Sequence, residues 1–450
     1  MQICHPNQCQ SGHRKQSGVA LMVMLVIIIM GSLAFLLSSL NRSNHNTERD
    51  QKTADALMQG KEALIAHAVS MQLTSSGSER LGDLPCPDLI NDGKASFLAC
   101  GNAAGTTGQS VRLGRLPWAT LKLGDIRDGS GERLWYAVSN NFKKNTRTAL
   151  LNSDTTGTIN IRNADGSVQY DGGTGNGVVA VIIAPGAALQ RADKASLQDR
   201  SSSGENNPLN YLDILSGVED NAEFIDTSSN GFIQGKVRDG NGKLILNDQL
   251  LVITTDDLLS AMQKRVAAEV KNCLDEYALS NNGRYPWAAK VSDTGSTYYD
   301  SQNEYFGRIP DNLDMSNNDL ITSMSDRWGG ACNTHSYNTP SGWWKNWKEQ
   351  VFYGIAKKYA PDNSPAPAFP ATCASAGNCL NINNTGTPAR YVIMVAGKTL
   401  ATPNQTLRSS NKGNPFYYLE GGNENANQSG AYTYTQLPMT STFNDLLIYQ

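Results

Sequence analysis

Three histidines lie beyond the first forty residues, at His45, His67 and His335, and none is close in sequence to another or to a cysteine pair. An imidazole performs acid–base or metal chemistry only beside a second positioned group. No HExxH, phosphate-cradling glycine loop, GxSxG elbow or dinucleotide fingerprint stands in a supporting context. The residues therefore predict no enzyme, no catalytic set and no metal centre. Two acidic-glycine stretches, Asp128-Gly-Ser130-Gly-Glu132 and Asp239-Gly-Asn241-Gly-Lys243, carry the oxygen ligands that calcium takes. Neither completes a twelve-residue loop with a closing glutamate, and Asp-Gly and Asn-Gly equally favour tight turns between strands. Calcium is the one cofactor these residue types admit; otherwise none is expected.

Ser341-Gly-Trp343-Trp344-Lys-Asn-Trp347-Lys348 is the densest aromatic cluster. Exposed, Trp343, Trp344 and Trp347 would form a binding surface for a glycan or a protein. Packed beside the neighbouring Phe352–Tyr353 strand, they would cover the core instead. Of eight cysteines, Cys4 and Cys9 precede the apolar segment, while Cys86, Cys100, Cys273, Cys332, Cys373 and Cys379 follow it. An even set beyond a membrane-type segment suits an oxidising compartment and disulfides. Proximity favours Cys86–Cys100 and Cys373–Cys379, which leaves Cys273–Cys332. The formal charge of −3 gives no electrostatic case for nucleic acid.

The elements that must position these groups begin at residues 15–71. A leader with Arg14 and Lys15 and no acid meets Gly18. The run Val19–Leu40 then has no charge and no proline. As a helix it reaches about 33 Å, enough to cross a bilayer core. It is longer than a signal-peptide core, and no lipoprotein-type cysteine follows it. Basic residues on the short flank hold that flank in the cytoplasm and the rest outside the inner membrane. Asn41–Met71 continues with apolar residues at helical spacing, Ala54, Leu57, Met58, Leu64, Ile65, Ala68 and Val69, which predicts a stripe docked on the body. Gly60 is a point where that rod would bend.

Lys15-Gln-Ser-Gly18 followed by Val19-Ala-Leu-Met-Val-Met-Leu resembles the start of type IV prepilins and type II secretion pseudopilins. The resemblance implies cleavage between Gly18 and Val19 by the prepilin peptidase, methylation of the new amino terminus, and assembly with other pilins or pseudopilins through the N-terminal helix. Major subunits of these families carry a glutamate at the fifth mature position. Here it is Val23, a departure shared with minor and tip subunits. Tyr277-Ala-Leu-Ser-Asn-Asn-Gly283-Arg-Tyr-Pro286 also resembles the helix end and following loop of major pseudopilins.

Local phrases return in order about 200 residues later, the mark of an internal repeat. Gly114-Arg-Leu-Pro117 matches Gly307-Arg-Ile-Pro310, and Glu132-Arg-Leu-Trp135-Tyr136 matches Glu349-Gln-Val-Phe352-Tyr353. Asn207-Pro208-Leu-Asn-Tyr211-Leu212 matches Asn414-Pro415-Phe-Tyr-Tyr418-Leu419, and Asn247-Asp248 matches Asn444-Asp445. Each copy reads as helix, turn, cysteine loop, aromatic strand (Leu134–Val138; Val351–Ile355), buried strand (Val178–Ala184; Tyr391–Ala396) and closing strand (Leu250–Thr254; Leu446–Tyr449). The second helix, Asp256–Leu279, starts at Thr255 as N-cap and carries the stripe Leu258, Leu259, Met262, Val266, Val270, Cys273, Leu274 and Tyr277.

The expectation is an α+β chain: a long N-terminal transmembrane helix, then two pilin-like heads, each a helix packed on an antiparallel sheet. The boundaries are leader 1–18, membrane or filament-core helix 19–40, first head 41–255 and second head 256–450. The expected function is that of a minor or tip prepilin-type subunit of a type IV pilus or type II secretion pseudopilus, in assembly initiation, adhesion or cargo contact. It would sit in the bacterial inner membrane with a periplasmic head, reaching the pilus or cell surface after assembly. The alternatives are a single-pass inner-membrane protein with a periplasmic binding module, and a secreted hydrolase.

Overall fold

The structure is a computed structural model that describes residues 46–70, 80–97, 100, 112–145, 147, 150–201, 204–224, 231–295, 297–311, 313, 328, 343–362, 373, 378–383, 388–401, 404–425 and 428–450. Helix α1 spans 46–69. Its buried positions are Thr53, Ala56, Leu57, Gly60, Leu64 and Ala68, three or four apart, so one narrow face meets the body. Ala54 and Met58, expected on that face, are exposed. A Cβ at Gly60 would stand 3.2 Å from Leu116 Cδ2 and 3.4 Å from Ile182 Cδ1, so glycine lets the helix backbone approach the sheet. The other face, with Glu48, Arg49, Asp50 and Lys52, is exposed.

The sheet under α1 is an antiparallel meander of β1 (Leu113–Arg115), β2 (Trp135–Val138), β3 (Ala180–Ala184) and β4 (Gln249–Ile253), in that order. Strand alternation divides its residues between two apolar layers. Tyr136, Val138, Ala180, Ile182 and Ile253 face the layer containing α1. Trp135, Ala137, Val181, Ile183 and Leu250 face the other, beneath Ile159, Ile161, Tyr211, Phe224 and Phe232.

Helix α2 (Thr255–Ser280) follows directly. Its N-cap is Thr254, one residue earlier than expected, because Thr254 and Asp257 form a reciprocal capping box that Thr255 cannot form with its own third neighbour. Every apolar residue of the expected stripe is buried. The chain then builds a second antiparallel meander, β5 (Phe306–Arg308), β6 (Val351–Ile355), β7 (Tyr391–Val395) and β8 (Leu446–Tyr449), with the same strand order as the first. Equivalent residues share register. Gly114 pairs with Tyr136 and Gly307 with Tyr353. Tyr136 donates to Pro85 O at 3.1 Å, and Tyr353 to Pro286 O at 3.2 Å.

The expected architecture, a long N-terminal transmembrane helix followed by two pilin-like heads, is corrected. No helix among the described residues is long and apolar enough to cross a membrane. The apolar run Val19–Leu40 lies outside the described residues. What is described has mixed α/β content: three α-helices, α1, α2 and the short α3 (Trp343–Trp347), with small sheets of two to four strands. A single apolar core also runs from Leu64 and Ile182 in the first half to Val266, Tyr353 and Val392 in the second. The physical reason is amphipathicity. The charged face of α1 commits it to lie on a sheet, and α2 and the segment after β2 bury apolar side chains of both halves in one layer.

Candidate functional site

The structure gathers a set of polar residues into one network and repeats that network in the second half. Arg115 ends β1. Its guanidinium lies 4.2 Å from the Trp135 ring centroid and 3.9 Å from that of Tyr211. Only arginine among the cations presents a flat, weakly hydrated face suited to this sandwich. Nη1 donates to Arg133 O at 3.0 Å and Nη2 to Glu205 O at 2.8 Å. Burial pushes the Arg115 pKa down to about 10, so it remains a cation at neutral pH. Its Nε finds no acceptor among the described residues.

Arg200 stacks on the same tyrosine at 5.0 Å and donates to Gly186 O at 2.6 Å and Gln198 Oε1 at 3.0 Å. Gln198 in turn accepts from Leu189 N and donates to Asp213 Oδ1 at 3.0 Å. Asp213 accepts from Asn247 N at 2.8 Å, and its own N–H donates to Asp248 Oδ2 at 2.8 Å. Burial pushes the Asp213 pKa up to about 6. Burial, and then the charge of Asp213, raises Asp248 well above the carboxylate range. A carboxyl so placed favours its neutral form.

The second half reproduces this arrangement. Arg308 ends β5 and stacks against Phe352 at 4.9 Å and Tyr418 at 5.0 Å. Arg408 stacks on Tyr418 at 4.8 Å and donates to Gly397 O and Gln405 Oε1. Gln405 accepts from Leu400 N and donates to Glu420 Oε1, and the N–H of Glu420 donates to Asp445 Oδ2 at 2.9 Å. Burial raises both Glu420 and Asp445, the latter also through its neighbour's charge. Asn247 and Asn444 cap matching loops, donating to Ala187 O and Lys398 O. These networks fix long connections onto the ends of the sheets. The carboxyl pairs Asp213–Asp248 and Glu420–Asp445 are buried.

The halves differ in what stands beside the second arginine. In the second half, Asp154 from the first half reaches across and accepts from Arg408 Nη1 at 2.6 Å and Gln350 Nε2 at 3.0 Å. In the first, the corresponding place between Arg200 and Arg133 is a cleft of about 430 Å³, lined by Arg115, Arg127, Arg133, Arg200, Glu132 and Glu205 among others. A further pair of equivalent clefts flanks the starts of the two long helices. The one at α2, about 550 Å³, is lined by Asp256, Gln263, Lys398 and Asn444. The one at α1, about 310 Å³, is lined by Arg49, Thr53, Lys236 and Asn247.

The residues singled out from sequence fall elsewhere. Gly18, Val19, His45, Cys332 and His335 lie outside the described residues. Cys86 bonds to Cys100 and Cys373 to Cys379, and Cys273 is also in a disulfide. Trp344 and Trp347 are buried and Trp343 is half-buried, so of the two readings of this cluster the packing is that of core cover. The physical reason is that α3 leads straight into β6 and turns their rings into the core. Asp128 accepts from the N–H groups of Ser130, Glu132 and Gly186, and Asp239 from those of Asn241 and Lys243, which makes both stretches turns held by their own carboxylates. No group of three or more metal-ligating side chains is assembled among the described residues. Arg115, Arg200, Gln198 and Asp213 were not singled out. Arg115 alone stood in a repeated phrase, Gly114-Arg-Leu-Pro117; Gln198, Arg200 and Asp213 fall between the repeated phrases.

Searches against protein-family models, curated proteins and solved structures return no match for this chain.

Proposed function

We propose that this chain is a minor or tip subunit of prepilin type, serving a type IV pilus or a type II secretion pseudopilus without catalysing a reaction. The reading is carried by one sequence of features: a basic leader ending at Lys15-Gln-Ser-Gly18, then Val19-Ala-Leu-Met, then a helix, α1, laid along an antiparallel sheet. Disulfides in both halves suit a body that works in an oxidising compartment. The segment ahead of α1 would join other pilin-type subunits, and the prepilin peptidase would act at Gly18–Val19. Val23, where major subunits have a glutamate, supports a minor or tip place. The clefts and loops of the body would then contact what the filament carries or touches.

The test is mass spectrometry of the mature amino terminus. An N-methylated Val19 in cells with the prepilin peptidase, and an uncut chain in cells without it, is the expected pair of results. Met1 retained in both strains refutes the proposal and leaves a binding module that never joins a filament. Co-fractionation with sheared filaments then identifies the machine.

A further inference from the structure

In the second half Arg408, together with Gln350, holds the carboxylate of Asp154, delivered by the loop after β2, while Arg308 beside it donates to backbone carbonyls. Every nitrogen of that pair has an acceptor. Arg308 donates to the carbonyls of Glu349, Val291 and Lys412, and Arg408 to Tyr417 O, Gly397 O, Gln405 and Asp154. In the first half the same two positions are Arg115 and Arg200; the Nε of each is buried with no acceptor among the described residues, and Arg200 Nη1 meets Gly186 O and Glu132 Oε1. Arg115 as a whole is only 3% exposed. A buried guanidinium nitrogen without an acceptor is costly.

The surroundings also differ in charge. The second half has Gln350 beside Asp154, and the first has Arg133 at that register position. Lys412 pairs with Glu349 in the second half. Its counterpart is Glu205, which cannot pair with Glu132, and Glu132 Oε1 instead stands 3.2 Å from Arg200 Nη1. Asp125 takes up Arg127 and Arg133. Even so, four arginines line the cleft against two glutamates.

We propose that the cleft between Arg115, Arg133 and Arg200 binds the carboxylate of an aspartate or glutamate presented by a partner polypeptide, as the second half binds Asp154 from within the chain. The occupant is an acidic side chain on a loop because that is what fills the equivalent place. Charge-assisted hydrogen bonds to guanidinium give such a contact its strength and its selectivity for a carboxylate over an amide. The site is independent of the assembly role proposed above, and its test uses no filament.

The full-length protein is titrated with a labelled peptide of residues 150–156, Leu-Leu-Asn-Ser-Asp-Thr-Thr, and with the same peptide bearing asparagine at the aspartate, followed by anisotropy. The acidic peptide should bind saturably, the asparagine peptide about tenfold more weakly or worse, and acetate should compete. Arg200→Gln, half of whose partners are backbone carbonyls, should weaken the acidic peptide by about tenfold while leaving the weak asparagine peptide unchanged. If that variant does not fold, the comparison of the two peptides on the wild-type chain decides. Absence of saturation into the millimolar range, equal binding of both peptides, or tighter displacement by sulfate than by acetate overturns the assignment.

Discussion

One polar contact between the halves can be broken at a single atom group. Arg408 is 2% exposed and Asp154 Oδ1 lies 2.6 Å from its Nη1, while Asp154 Oδ2 accepts from Gln350. Removing one partner of a buried ion pair costs about 3–5 kcal/mol, because the remaining charge stays desolvated. Two features reduce that here. The Asp154 side chain is 36% exposed, so water reaches the vacated place, and Arg408 keeps acceptors on Gly397, Gln405, Gln350 and Tyr417. Asp154→Ala should therefore destabilise the chain by about 2 kcal/mol. Asp154→Asn, which keeps an acceptor oxygen and loses the charge, should cost about 1 kcal/mol. Arg408→Met, which removes the charge that needs the partner, should make a subsequent Asp154→Ala nearly silent, and that non-additivity is the diagnostic. Urea unfolding followed through the buried tryptophans Trp344 and Trp347 is the assay. Equal losses for Asp154→Ala in the wild-type and Arg408→Met backgrounds would refute the reasoning, since the cost would then not arise from the pair.

Other perturbations test other parts of the structure. A Cβ at Gly307 would stand 1.8 Å from Ala289 O, and one at Gly114 would stand 2.7 Å from Asp88 O, so both alanine variants should lose about 1–3 kcal/mol, Gly307→Ala the more, as read from denaturation midpoints. Asp213 has its folded pKa raised to about 6 from an ordinary 3.8, so the folded state holds its proton more tightly than the unfolded chain and stability falls as pH rises from about 4 to about 6. Asp213→Asn should flatten that slope; an unchanged slope between pH 4 and pH 7 would show that the fall arises elsewhere. Thr254→Ala removes the capping-box oxygen at the start of α2 and should cost about 1 kcal/mol, while Thr255→Ala should cost less. Reducing Cys86–Cys100, which closes a loop of 14 residues, should cost about 3 kcal/mol in the same unfolding assay.

Much of the scaffold was legible in the sequence because it is written in local patterns. The continuous apolar runs at Ala180–Ala184 and Tyr391–Val395 are central strands, and period-3.6 spacing marks α2 along with its buried face. Local patterns were less sufficient for α1. Its stripe was displaced toward Ala54 and Met58, since small residues such as Thr53, Ala56 and Gly60 pack closely without looking apolar. Trp343, Trp344 and Trp347 admit a surface reading from residue type alone, but their place beside the Phe352–Tyr353 strand favours core, and α3 does lead into β6.

The sequence by itself determined the order of elements and the recurrence of the same phrases in both halves, because periodicity, caps and repeated residue types act over a few neighbours. It also contained the arginines, amides and carboxylates of the two networks, without showing that they meet. Only the tertiary structure decided that Arg115 lies between Trp135 and Tyr211, that the carboxyls of Asp213 and Asp248 share one buried site, and that Asp154 fills the second arginine site while the first is left as a cleft. Asp154 and Arg408 are 254 residues apart. Whether two such groups meet is set by how the two sheets share a core, and burial, not sequence spacing, then gives their charges their strength.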